Sequence, residues 1–516
     1  VSPLSTVVVD VGALAPGDVV AVARGGAAVE LSAAARSAIA ASRATIDALA
    51  GDPHPHYGVS TGFGALATVA IPLDARTQLQ RSLIRSHAAG SGPEVEREVV
   101  RAMVLLRLST LSTGRTGVRP VVAETYAAML SAGITPLVHE HGSLGCSGDL
   151  APLAHVALAA MGEGTVRDHA GALGPASEAL AAAGIAPLTL VEKEGLALIN
   201  GTDGMLGMLL LSLHDLTALV AVADVTAAMS VEAQLGTDAV FAADLQALRP
   251  QLGQARSAAN LRTLLAGSPI VASHRDPASD TRVQDAYSLR CSPQVHGGAR
   301  DTVDHAAAVA GRELASAIDN PVVTEDGRVE SNGNFHGAPI AYVLDFLAIV
   351  TADVASISER RTDRMLDVHR SAGLPPFLAH DPGVDSGLMI AQYTQAAIVS
   401  ELKRLAAPAS VDSIPSSAMQ EDHVSMGWSA ARKLRRAVDG LTRVLAIELL
   451  TAGRALDLRA PLQPASGTGA ALAALRTVVA GPGPDRHLAP EIEAAVGLVR
   501  SGRLLEAVTQ VTGPLD

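Results

Sequence analysis

Apolar positions along this chain follow two regimes, a brief β-like one at the start and a long helical one afterwards. Thr6-Val7-Val8-Val9 reads as a strand within an opening segment, 1–30, rich in Val and Gly. From Leu31 an Ala-rich run takes over, and Ser32 stands where a helix N-cap is expected. Helical spacing returns over 94–113, 121–132 and the apolar run 150–161, with glycine-rich loops at 58–64, 90–92 and 142–148. Residues 165–190 mix Ala, Gly and Pro around one short helix at 177–183. Beyond Thr202 the pattern lengthens into helices at 203–236, 299–318, 338–366, 383–407 and 425–456. The expected fold is mainly α. A division near residue 200 separates a smaller, loop-rich N-terminal domain (1–200) from a C-terminal domain (201–516), a large bundle of long helices.

Composition narrows the function classes. Of 516 residues 48% are hydrophobic and only 2% aromatic, so Ala, Leu and Val must pack the core, and disorder is excluded. Two cysteines, Cys146 and Cys291, leave no disulfide framework and suit a reducing compartment. The net charge of -13, with Arg432-Lys433-Leu434-Arg435-Arg436 as the densest basic cluster, argues against nucleic acid as a partner. The most lipid-like stretch, 205–233, is interrupted by His214, Asp215, Asp224 and Glu232, which favours a buried helix over a membrane span. No basic segment followed by an apolar one opens the sequence, so a cytoplasmic location is expected.

The first candidate for chemistry is Gly142-Ser143-Leu144-Gly145-Cys146-Ser147-Gly148-Asp149-Leu150. It fits neither a dinucleotide fingerprint, a phosphate loop nor a nucleophile elbow. One reading is a turn with Asp149 capping the next helix. The other turns on Ser147-Gly148: an unhindered glycine nitrogen can attack a nearby carbonyl, and cyclisation with dehydration then leaves an electrophilic alkene.

The run 142–155 resembles the signature of the aromatic amino-acid ammonia-lyases, whose Ala-Ser-Gly segment becomes methylidene-imidazolone (MIO). Further blocks match in the same order: Tyr57–Gly64, Ser86–Gly90, Glu194–Thr202, Gln284–Cys291, Asn332–Gly337 and Gln420–Met426. Together they span about residues 50–430. The resemblance implies a fumarase/aspartase-like bundle of long helices, with the N-terminal domain carrying the cofactor. It also implies a homotetramer whose active sites are shared between chains. Cys146 stands where alanine is usual, and since its side chain lies outside the ring, the cofactor is expected to form autocatalytically from Cys146-Ser147-Gly148, with no external cofactor and no metal.

By resemblance, Tyr57 and Tyr287 are the candidates for acid/base work, and the sequence does not divide the task between them. Arg290 is expected to hold the substrate carboxylate in a bidentate pair. Asn200 and Gln284 are expected to donate to the cofactor's carbonyl oxygen, and Phe335 to pack against the cofactor or substrate ring. His87 and Glu421 bear on the substrate: with Ser86 and the Gln420–His423 block they resemble the histidine-specific members, in which a carboxylate meets an imidazole N–H. Met389 is a further candidate for the same pocket or for the core. The implied reaction is loss of ammonia from L-histidine to give trans-urocanate, a step of histidine degradation.

Other readings stay open. Tyrosine or phenylalanine lyases and aminomutases share this cofactor. A pyridoxal-phosphate lyase needs a Schiff-base lysine, and only Lys193, Lys403 and Lys433 exist. A non-catalytic helical scaffold would keep Ser147 as ordinary serine. His54/His56 and His139/His141 have metal-like spacing but lack a matching Cys or carboxylate set, and Cys291 reads as a buried thiol.

Overall fold

The computed structural model describes residues 6–50, 56, 58, 61, 71–276 and 283–516. It is mainly helical, with long helices at Asp203–Ala233, Ser292–Leu314, Ala338–Leu366 and Gly427–Asp457. The chain forms two compact units: 1–212 with 307–345 and 408–432, and 213–306 with 346–407 and 433–516. The expected division near 200 captures only the first crossing. The units interleave because each long helix begins in one unit and ends in the other, so no single cut in sequence separates them.

The first unit holds every strand among the described residues. Thr6–Val9 pairs in parallel with Ala28–Leu31, burying Val7, Val9, Val29 and Leu31 from alternate positions. Ser32 caps the helix Ala33–Ala50, its hydroxyl accepting from the Ala35 N–H at 2.9 Å. At the centre lies Arg97–Ser112, buried at every position from Val99 on. Short antiparallel pairings join Ser91–Glu94 to His139–His141, and Thr135–Pro136 to Thr165–Arg167 and Leu173–Pro175.

In the second unit four long helices share buried ion networks. Glu448 accepts from Arg361 (2.5 and 2.9 Å), Ser230 (2.7 Å), Thr226 (2.9 Å) and Ser358 (2.6 Å). Asp224 accepts from His296 (2.8 Å), Arg300 (2.7 Å) and Asn260 (2.9 Å). Of the charges that interrupt the lipid-like stretch, Asp224 and Glu232 are thus buried with donors, Glu232 accepting from Thr468, Ser268 and the Ala465 N–H, whereas Asp215 is half-buried and His214 exposed.

Several helical runs end differently from their pattern. The 299–318 run starts at Ser292 and stops at Leu314, and Gly297 within it lies so close to Gly253 and Gln254 that a side chain would overlap them. The 383–407 run begins only at Met389, after Phe377 and Leu378 turn left-handed. Arg76–His87, Leu252–Leu264, Ser466–Arg476, Leu488–Arg500 and Arg503–Thr512 are helices outside the expected set.

Candidate active site

The segment 142–149 leaves the strand His139–His141 and enters the helix Leu150–Ala160. Two glycines shape it. Gly145 (φ +67) presents its carbonyl to Ser425 Oγ (2.5 Å) and to the Gly337 N–H (3.0 Å). Gly148 (φ +77) forms a bridge with Gly201, and a side chain there would overlap the Gly201 backbone. The Asp149 N–H then donates to the Gly201 carbonyl at 2.7 Å.

Asp149 precedes the helix Leu150–Ala160, but its carboxylate makes no capping bond there. It caps another helix. Oδ2 accepts from the N–H groups of Gly204 and Met205, both at 2.9 Å, at the start of Asp203–Ala233, while Oδ1 accepts from Ser143 Oγ at 2.8 Å. The expectation that Asp149 caps the helix that follows it is therefore not met: its carboxylate is drawn instead to the start of a helix remote in sequence.

Ser147 faces a carboxylate. Its Oγ donates to Glu421 Oε1 at 3.0 Å, and Cys146 Sγ donates to Glu421 Oε2 at 3.1 Å. Ser416 Oγ adds a third donor, to Oε2 at 2.8 Å. Backbone bonds in both directions pair Ser416 with Glu421 across a turn in which Ser417, Ala418 and Met419 all have positive φ. Three consecutive non-glycine residues in that region carry strain, and the turn they make delivers Glu421 to Ser147. Ser416 lies outside the matched motifs, and nothing in the local sequence announced it.

His87 ends the helix Arg76–His87. Its Nδ1 engages the Leu83 carbonyl (2.9 Å) and Ser86 Oγ (3.1 Å). Burial lowers the imidazole's pKa, opposed by the Leu83 carbonyl and by the charge of Glu421. Asn200 is buried, and its carbonyl accepts from Arg107 at 2.9 Å, as does that of Ala197 at 3.0 Å. Arg107 in turn pairs with Asp203 at 2.6 Å, and neighbouring Lys193, itself at φ +74, pairs with Asp319 at 2.5 Å. Lys193 is fully buried in that ion pair, which is a poor setting for a Schiff-base lysine. Phe335 is half-buried in a turn, and next to it His336 stacks on His423 with ring centroids 5.7 Å apart. Within this unit the fold thus draws Cys146, Ser147, Gly148 and Glu421 together, with His87 inside the field of Glu421 and the Asn200 segment against Gly148.

Gln284, Tyr287 and Arg290 belong to the second unit. Gln284 is exposed and Tyr287 is 72% exposed. The half-buried Arg290 guanidinium sits 4.7 Å from the centre of the Tyr287 ring. Its Nε is buried without a hydrogen-bond partner among the described residues. Cys291 is half-buried rather than buried, because it follows this short, partly exposed helix. Met389 is half-buried at the start of Met389–Leu405. Tyr57 lies outside the described residues. His139, the first of its pair, is tied through Nδ1 to the Gly92 carbonyl at 2.9 Å.

The sequence profile of aromatic amino acid lyases matches residues 14–477. The chain belongs to the aromatic amino acid lyase family. It is 66% identical to the histidine ammonia-lyase of Streptomyces griseus over 515 residues, covering 99% of this chain and 100% of that one. Among solved structures, a tyrosine aminomutase from Streptomyces globisporus matches with a TM-score of 0.94 and 38% identity, covering 99% of this chain and 100% of the other. A histidine ammonia-lyase from Trypanosoma cruzi matches at 0.89 and 37%, covering 98% and 95%. For this aromatic amino acid lyase the relevant geometry is a Ser-Gly turn facing a carboxylate, on a mainly helical frame.

Proposed function

We propose that this enzyme eliminates ammonia from L-histidine to give trans-urocanate, using an MIO group formed from Cys146-Ser147-Gly148. The observation that carries the reading is the Glu421 carboxylate in contact with Ser147. A carboxylate at that point can accept an imidazole N–H, whereas against a phenyl ring it would lie desolvated and unpaired. The segment suits the maturation. Gly148 has the left-handed backbone and absent side chain that a tight cyclisation needs.

Once formed, that group supplies an alkene conjugated to a carbonyl, an electron sink that side chains lack. Asn200 and Gln284 would hold its carbonyl oxygen, and Phe335 would pack on the ring. Arg290 binds the substrate carboxylate. Glu421 takes the imidazole N–H, with His87 offering Nε2 as a second polar contact. Tyr57 or Tyr287 removes the β-proton; the electron pair released forms the Cα–Cβ double bond as the Cα–N bond breaks and ammonia leaves. The enzyme works in the cytoplasm as a homotetramer; the exposed apolar side chains Phe346, Ile349, Ile390 and Tyr393 on helices of the second unit support the assembly.

The similarity to a tyrosine aminomutase keeps a second reading in play, in which a tyrosine is the substrate and ammonia returns at the β-carbon. Intact mass and product analysis separate the cases. The proposal expects a chain lighter by two waters, urocanate as product, and a Glu421→Ala variant that keeps this mass deficit while losing at least about a hundredfold in kcat/KM on histidine, as for a charged contact made in the transition state. Glu421→Gln should retain more activity. A full-mass wild-type chain, or Glu421→Ala with normal activity on histidine, would overturn it.

A further inference from the structure

The three donors on Glu421 are divided unequally between its two oxygens. Among the described residues Oε1 takes only Ser147 Oγ, whereas Oε2 takes both Cys146 Sγ and Ser416 Oγ. Maturation of the Cys146-Ser147-Gly148 segment removes the Ser147 oxygen as water. The two donors on Oε2 come from side chains that this chemistry does not consume. We infer that Cys146 and Ser416 are positioning residues, a two-donor clamp that pins Oε2 of Glu421 and leaves Oε1 free for the imidazole N–H of the substrate. The inference rests on the proposed reading of the site, and it assigns a task to the thiol that stands where alanine is usual.

The surroundings fit a clamp. Ser416 is locked to Glu421 by backbone bonds of 2.9 and 3.3 Å, so its hydroxyl has little freedom to swing away. The strained turn 417–419 fixes the loop's direction. Cys146 is 6% exposed, and burial, reinforced by Glu421, pushes its thiol up to about 12. At neutral pH it is therefore a protonated donor. A thiolate beside an electrophilic alkene would add to it; the same carboxylate that is positioned by the thiol keeps the thiol in its inert form.

The test compares Cys146→Ala, Cys146→Ser, Ser416→Ala and the double alanine variant with wild type. KM and kcat are measured on histidine, and MIO content is measured by intact mass and near-UV absorbance. Losing one donor to a charged acceptor should raise KM for histidine about three- to tenfold with a smaller change in kcat, and losing both should raise it more than either alone. Cys146→Ser should restore wild-type KM, which a merely space-filling role for sulfur would not require. MIO content should be unchanged throughout. If Cys146→Ala and Ser416→Ala keep normal KM with full MIO content while Glu421→Ala loses activity on histidine, the clamp is wrong and the site reading survives. If wild type has the full chain mass, or Glu421→Ala is normal on histidine, the site reading fails first and the clamp with it. Should an alanine variant fail to fold, the Cys146→Ser kinetics and the remaining single variant still decide the matter.

Discussion

Arg290 is a half-buried cation whose Nε lacks any hydrogen-bond partner among the described residues, and its guanidinium rests on Tyr287. A planar fork held this way is ready for a carboxylate. Arg290→Lys keeps the charge and loses the fork; Arg290→Ile loses both. Catalytic efficiency should fall in the order wild type, Lys, Ile, with the isoleucine variant down by about 2–5 kcal/mol in transition-state stabilisation. Steady-state kinetics on histidine check the order, and an unchanged Ile variant would assign the carboxylate to another cation. Asp149 makes a separate case. Burial pushes its carboxyl up to about 7, against the pull of Met205 N–H, Ser143 Oγ and Gly204 N–H and with the help of Asp203. The folded state therefore holds this proton more tightly than the unfolded chain, whose carboxyl titrates near 3.9. Its contribution to stability is greatest at low pH and declines as pH rises from about 4 to 7. Asp149→Asn cannot ionise, so its melting temperature should show less decline across that window than wild type in parallel thermal melts.

At the scale of elements, buried ion networks decide how the long helices of the second unit are joined. Glu448 on Gly427–Asp457 meets Arg361 and Ser358 on Ala338–Leu366 and Thr226 and Ser230 on Asp203–Ala233. Burial alone would raise its pKa, but the paired guanidinium and the hydroxyl donors hold the carboxyl below its ordinary value. Glu448→Ala leaves Arg361 buried and unpaired and should cost about 3–5 kcal/mol, read from chemical denaturation. Glu448→Gln should cost less. Nothing in the helical pattern announces such a network, since a lone glutamate on an apolar face has no visible partner until three helices are assembled.

For the whole molecule, the exposed apolar residues raise a question of assembly. Phe346 and Ile349 are 46% and 44% exposed, and Ile390 and Tyr393 are 56% and 61% exposed. At i, i+3 spacing each pair presents one face of its helix. If these faces bury one another in a homotetramer, Phe346→Glu with Tyr393→Glu should shift the mass in light scattering below that of a tetramer and lower activity with it. An unaltered tetramer would place the interface elsewhere.

What the sequence determined by itself is considerable. Periodicity located Ala338–Leu366 at both ends, because a helix long enough to repeat its apolar face many times is specified locally. The matched blocks singled out Ser147 and Glu421, which the fold brings into contact, because such blocks are carried by residue type and order. Tertiary structure decided what depends on meeting across the chain. Asp149 caps a helix more than fifty residues away, and Ser416 reaches Glu421 through a left-handed turn that no propensity favours. The sequence leaves the Cys146 side chain outside the ring and names no partner for it; folding lays Glu421 against its sulfur. The division of the chain followed the same rule: long helices that run from one compact unit into the other make units that are contiguous in space and not in sequence. Hydrophobic spacing records which face of an element is buried, and the partner that covers it exists only once the chain has folded.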